Sequence, residues 1–75
     1  MKTITIRTTS KHLAVIIKEE IESLLDEHVN CTWYDGAWEV GADGEAEEID
    51  AIAADYRECD NYKDGLFTIE LTVEQ

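Results

Sequence analysis

Between Val29 and Val40 the chain alternates apolar and polar residues, and Asp35-Gly36 interrupts the alternation at one point. Val29, Cys31 and Trp33 stand against Asn30, Thr32 and Tyr34; beyond the interruption, Trp38 and Val40 flank Glu39. An Asp-Gly pair between two period-2 runs predicts a β-hairpin. Both central residues of a type I′ turn need positive φ, which Gly adopts without steric cost. A hairpin places two antiparallel strands in the middle of a 75-residue chain, and the other elements must be arranged around it.

Those elements follow from hydrophobic period. Thr3 to Thr8 alternates with Ile4 and Ile6 on one face, as a half-buried strand does. Thr9 or Ser10 offers a hydroxyl cap for a helix from about Lys11 to Glu27, with Leu13, Ile16, Ile17, Ile21 and Leu24 on one stripe. Asp43 is placed to cap a second helix whose first turn carries Glu45, Glu47 and Glu48, where the helix dipole favours anions. Ala46, Ile49, Ile52, Ala53 and Tyr56 form its inward stripe, and Asn61 to Gly65 breaks it. The last run sets Phe67, Ile69, Leu71 and Val73 inward against Thr68, Glu70, Thr72 and Glu74.

The chain has no proline, no Gly/Ser-rich linker and no internal repeat, so residues 1–75 are expected to form a single domain. The order β-α-β-β-α-β is that of the ferredoxin-like split βαβ arrangement. The expected class is therefore α+β, with two helices on one face of a four-stranded antiparallel sheet. An irregular α+β fold built from the same elements is the competing expectation. Neither specifies an activity, since function resides in sites and not in architecture.

Charge narrows the choice of partners. Eighteen Asp and Glu against 6 Lys and Arg leave a formal net charge of −12. A magnitude of about 2–8 already secures solubility for a small domain, and the excess repels itself. Direct binding to nucleic acid or an anionic membrane is disfavoured, because both would repel this surface. A basic partner or a high-salt habitat would account for the excess. No apolar run approaches the ~20 residues of a membrane span. Met1-Lys2-Thr3-Ile4-Thr5-Ile6 lacks the apolar core of a secretory signal, so a cytoplasmic site of action is expected.

Motifs for bond-making chemistry are weak. Asp60-Asn61-Tyr62-Lys63-Asp64-Gly65 resembles a calcium loop, but Tyr62 and Leu71 stand where ligands are needed, so it reads as a turn. His28-x-x-Cys31 could be half of a zinc site, but no second tight pair follows, and Cys31 shares the inward alternation of Val29 and Trp33. Ser10, Ser23, His12 and His28 have no triad context. There is no Gly-rich phosphate loop. No metal, no cofactor and no enzymatic activity are expected.

The carboxylates carry the pattern that remains. Glu19, Glu22 and Asp26 sit at i, i+3 and i+7 opposite the first apolar stripe, and Glu47, Asp50, Asp55 and Glu58 occupy the outward arc of the second helix. Like charges three or four residues apart weaken a helix slightly, with no local compensation beyond Lys18 and Arg57. If the helices lie side by side, the two stripes form one acidic surface that imitates the spacing of backbone phosphates. The bland alternative is an ordinary solvated acidic face.

Small size, one domain, extreme acidity and no catalytic motif together resemble the small anti-defence proteins of bacteriophages, among them anti-CRISPR and anti-restriction inhibitors that act as DNA mimics. The likeness is one of kind, carried by the two stripes and not by a shared motif. It implies occupation of the DNA-reading groove of a surveillance complex or nuclease in the host cytoplasm. The partner would be a basic nucleic-acid-binding protein engaged through Glu19, Glu22, Asp26, Glu47, Asp50, Asp55 and Glu58.

Trp33 and Trp38 fit the inward face of the hairpin and are expected in the core. Tyr34, beside the turn, is expected to be exposed and able to anchor an interface, since Tyr is enriched at binding hot spots. The outer sheet face, with Thr3, Thr5, Arg7, Asn30, Thr32, Thr68, Glu70 and Thr72, should be polar, and a second copy could pair on it. An interaction or assembly module built on Tyr34 or a sheet edge is thus the alternative function. A domain adapted to high salt is a third.

Overall fold

The computed structural model describes residues 1–73. Its elements are β1 (Lys2–Thr8), α1 (Lys11–Leu25), β2 (Asn30–Tyr34), β3 (Ala37–Gly44), α2 (Ala46–Arg57), α3 (Asp60–Lys63) and β4 (Thr68–Val73). The four strands form one sheet in the order β2-β3-β1-β4, with every neighbouring pair antiparallel. The fold is α+β. Glu74, expected on the outer side of the last strand, lies outside the described residues.

The hairpin forms where the Asp-Gly pair stands. Asp35 has φ 51° and Gly36 has φ 84°, the two positive values that a type I′ turn requires. Trp33 then pairs with Trp38 and Cys31 with Val40. The register carries inward residues across the whole sheet: Cys31, Val40, Ile6 and Ile69 make one row, and Ala42, Ile4 and Leu71 the next. Alternation along each strand thus becomes a continuous apolar surface.

Both helices cover that surface. Ala14, Ile17 and Ile21 of α1 and Ile49, Ile52, Ala53 and Tyr56 of α2 join Ile4, Ile6, Val40 and Phe67 in one core. α1 starts at Ser10, whose Oγ accepts a hydrogen bond from the Leu13 N–H at 3.2 Å. It ends two residues before the expected Glu27, because Asp26 turns left-handed at φ 54° and closes the last turn.

Several expectations are corrected by the packing. Asp43 is not a cap: β3 runs on to Gly44 in register with Lys2, and the Asp43 carboxylate accepts a hydrogen bond from the Thr3 hydroxyl across the sheet. Glu45 is the residue at the start of α2, with no side-chain cap bond. The Asn61–Gly65 break contains most of a single-turn helix, α3, which seats Tyr62 against Phe67 at 5.6 Å between ring centroids. Trp33 is 54% exposed and outside the core. β2 is an edge strand, flanked by β3 on one side only. The indole instead meets Trp38 edge-on at 5.4 Å, with the Lys11 ammonium 5.6 Å from the centre of the Trp38 ring.

The helical stripe of α1 is also rotated from its expected setting. Ala14 is buried, whereas Ile16 and Leu24 are exposed. The apolar arc of this helix is broader than the sheet can cover, and its surplus edge turns toward α2.

Candidate functional site

Most of the acidic residues stand on the helices and their connections; Asp35, Glu39, Asp43 and Glu70 are the exceptions among the described residues. The helical layer is therefore the acidic side of the molecule. Three kinds of position exist on it: the crests that point straight into solvent, the outer flanks that lean over the sheet edges, and the facing flanks between α1 and α2.

The crests carry Glu19 on α1 and Glu47 on α2; Asp26 and Glu58, expected on the same stripes, are the C-caps just beyond the two helices, and all four are exposed. Glu47, Ala54 and Glu58 recur at helical spacing along one row. Among the described residues, the one ion pair these four make is that of Glu58 with Lys63, whose Nζ lies 4.0 Å away. Such a long, exposed pair binds its carboxylate only weakly.

The outer flanks hold the two candidates that are already occupied. Glu22 receives the Lys18 ammonium at 2.9 Å, the Val29 N–H at 3.1 Å and the His28 Nδ1 at 3.3 Å. The Lys18 hydrogen bond, followed by the Val29 N–H, holds the Glu22 carboxyl below the usual carboxylate range. Asp50 is paired with Lys2 at 2.6 Å, tying α2 to β1. These two carboxylates fasten helices to the sheet.

The facing flanks bring Asp55 together with Glu20, which sequence pattern did not single out, and Glu48, which it placed only as a first-turn acid of the second helix. The signal was present: Ile16, Glu20 and Leu24 recur at i, i+4 and i+8. Reading the surplus apolar residues as core concealed it. The Tyr56 hydroxyl donates to Glu20 Oε1 at 2.9 Å beneath this flank. Burial first, and that hydrogen bond second, raise the pKa of the Tyr56 phenol.

Tyr34 is 64% exposed at the hairpin, where its carbonyl accepts from Arg7 Nη2 at 2.9 Å. Arg7 also donates to the Asp35 carbonyl at 3.1 Å, and its Nε lies 3.4 Å from Glu39. That last approach is a charge contact without hydrogen-bond alignment, so the buried Nε is left unpaired. The tip is thus anchored to β1 from the outer sheet face. On this face Thr3, Thr5, Asn30, Thr32, Glu39 and Asp43 line a shallow polar depression of about 350 Å³.

The other chemical candidates have structural positions. Ser10 caps α1, the Cys59 thiol lies 3.6 Å from the Asp55 carbonyl, and Cys31 is half-buried against the core. Among the described residues, no three His, Cys, Asp or Glu side chains converge to hold a metal ion. No helix among them is long and apolar enough to cross a membrane. Neither a family model, nor a curated protein, nor a solved structure matches the chain.

Proposed function

We propose that this protein is a non-catalytic binding protein that acts as an acidic inhibitor. In this reading its helical face occupies the basic, nucleic-acid-reading groove of a partner, in the manner of anti-CRISPR and anti-restriction DNA mimics. The observation that carries it is the division of labour among the carboxylates. Glu22 and Asp50 are held by Lys18 and Lys2 at the flanks, while among Glu19, Asp26, Glu47 and Glu58, on the crests and at the helix C-caps, only Glu58 has an ion pair, the long one to Lys63. Exposed carboxylates not held in a close ion pair carry a self-repulsion that a cationic partner relieves.

The strand order β2-β3-β1-β4, with both helices on one face, supports a ferredoxin-like assignment for the architecture. The cytoplasm of a bacterial host is the compartment in which such an inhibitor would work. A second reading, an interaction module centred on Tyr34, is favoured by one observation: the exposed phenol sits on a turn whose backbone Arg7 fixes in place.

The test is displacement of labelled DNA from CRISPR surveillance complexes, restriction nucleases and unrelated basic DNA-binding proteins. Selective release from one complex is expected. The quadruple Glu19→Lys, Asp26→Lys, Glu47→Lys, Glu58→Lys variant should lose that effect, and raised salt should weaken it in the parent protein. Retention of full potency by the quadruple variant would overturn the proposal; if Tyr34→Ala then abolished activity, the second reading would replace it.

A further inference from the structure

α1 and α2 rest on the strands more than on each other, and a trough runs between them. One stretch, about 400 Å³, is lined by Glu20, Ser23, Leu24, Ile52, Asp55 and Tyr56. A second, about 380 Å³, shares Leu24, Ile52 and Asp55 and adds Leu25, Glu48 and Ala51. The shared residues make the two stretches continuous. Leu24, 63% exposed, stands at their junction. The floor is apolar and the rim is Glu20, Glu48 and Asp55, with neither Lys nor Arg in the lining.

We propose that this trough docks a cationic amphipathic helix of a partner protein, with apolar anchors on Leu24 and Ile52 and Lys or Arg side chains reaching the acidic rim. The sign of the partner's charge rests on the inhibitor reading above; the apolar anchor is additional to it. Charge complementarity selects this occupant. A second copy of the chain would bring another net −12 against the same carboxylates, and an anionic membrane would be repelled likewise. A helix suits the walls better than an extended strand does. The walls present side chains, so an incoming strand would find few partners for its backbone groups, whereas a helix satisfies its own.

The probe is a fluorescent Leu/Lys peptide of roughly 18 residues, five helical turns, with Leu at i, i+3, i+4 and i+7. Its control has Gln at every Leu position and the same number of lysines. Anisotropy titrations at moderate salt should give the Leu/Lys peptide about tenfold tighter binding, the factor expected for burying most of one leucine side chain. Leu24→Gln should remove that advantage and leave the control peptide unaffected; as an exposed position it should not disturb folding, which a thermal melt checks. Ala51→Arg, which sets a cation on the trough wall, should weaken the Leu/Lys peptide more than the control. Equal binding of the two peptides, or indifference of the Leu/Lys peptide to Leu24→Gln, would overturn the trough while leaving the acidic crests intact as a binding surface. If neither peptide bound even at low salt, the acidic-surface reading would fall with it.

Discussion

Glu22 joins three parts of the chain: Lys18 one turn earlier, His28 in the connection, and the Val29 N–H at the entry to β2. Its carboxyl pKa is lowered in the folded state, chiefly by the Lys18 hydrogen bond. A depressed folded pKa means a contribution that is present at neutral pH and lost as pH falls below the unfolded value of about 4.3 through the folded one. Protonation of the other acids relieves repulsion over the same range, so the parent protein alone does not isolate the effect. The Glu22→Gln variant does. Urea unfolding should place it below the parent at pH 7, with the gap closing toward pH 3; a gap independent of pH would mean that the ionised carboxylate has no special part. Glu22 was legible as an acidic residue on the outward side of a helix. Its role as a clamp was not, because His28 and Val29 reach it only after the chain reverses beyond Asp26.

At the scale of elements, the hairpin is the part most fully specified by local chemistry. Asp35 and Gly36 adopt the two positive φ values themselves, and Arg7 adds a tether from β1. Gly36→Ala places a Cβ at φ 84°, where there is room around it but the backbone conformation is disfavoured for an L-residue. It should cost about 1 kcal/mol, read as a lower urea midpoint with an unchanged slope. No loss would mean that the turn relaxes to another type. The helices were less fully specified. Ser10 and the apolar spacing located α1, but which arc of it faces the sheet is decided by where β3 and β1 lie. Ala14 is buried there, while Ile16 is left exposed and Leu24 lines the trough.

Over the whole molecule, repulsion is the controlling quantity. The longest extent of the Cα trace is 29 Å. The Debye length is roughly 30 Å at 0.01 M salt and about 8 Å at 0.15 M. At low salt, carboxylates across the entire fold therefore feel one another, and at physiological salt only neighbours do. The melting temperature should rise between those two ionic strengths. Coincident melts would mean that the ion pairs of Lys2, Lys18 and Arg7 already balance the repulsion within the fold. The division of acids into clamped flanks, open crests and an acid-rimmed trough belongs to this scale, since helical spacing alone places Glu22 and Glu19 on one outward stripe.

By itself the sequence determined the α+β class, the hairpin and its turn, the inward rows of β1 and β3, and the exposure of Tyr34. Each is enforced within a few residues, by the steric demand of positive φ or by the two-residue period of a strand. Only the tertiary structure decided that Asp43 continues β3, that Asp60–Lys63 coils into α3, that Trp33 lies outside the core, and that Leu24 meets solvent beside Glu20, Glu48 and Asp55. Those outcomes depend on how far apart the elements settle. Pairing with β1 keeps Asp43 extended, an edge strand has a neighbour on one side only, and two helices seated on a sheet leave uncovered whatever apolar width the sheet does not need.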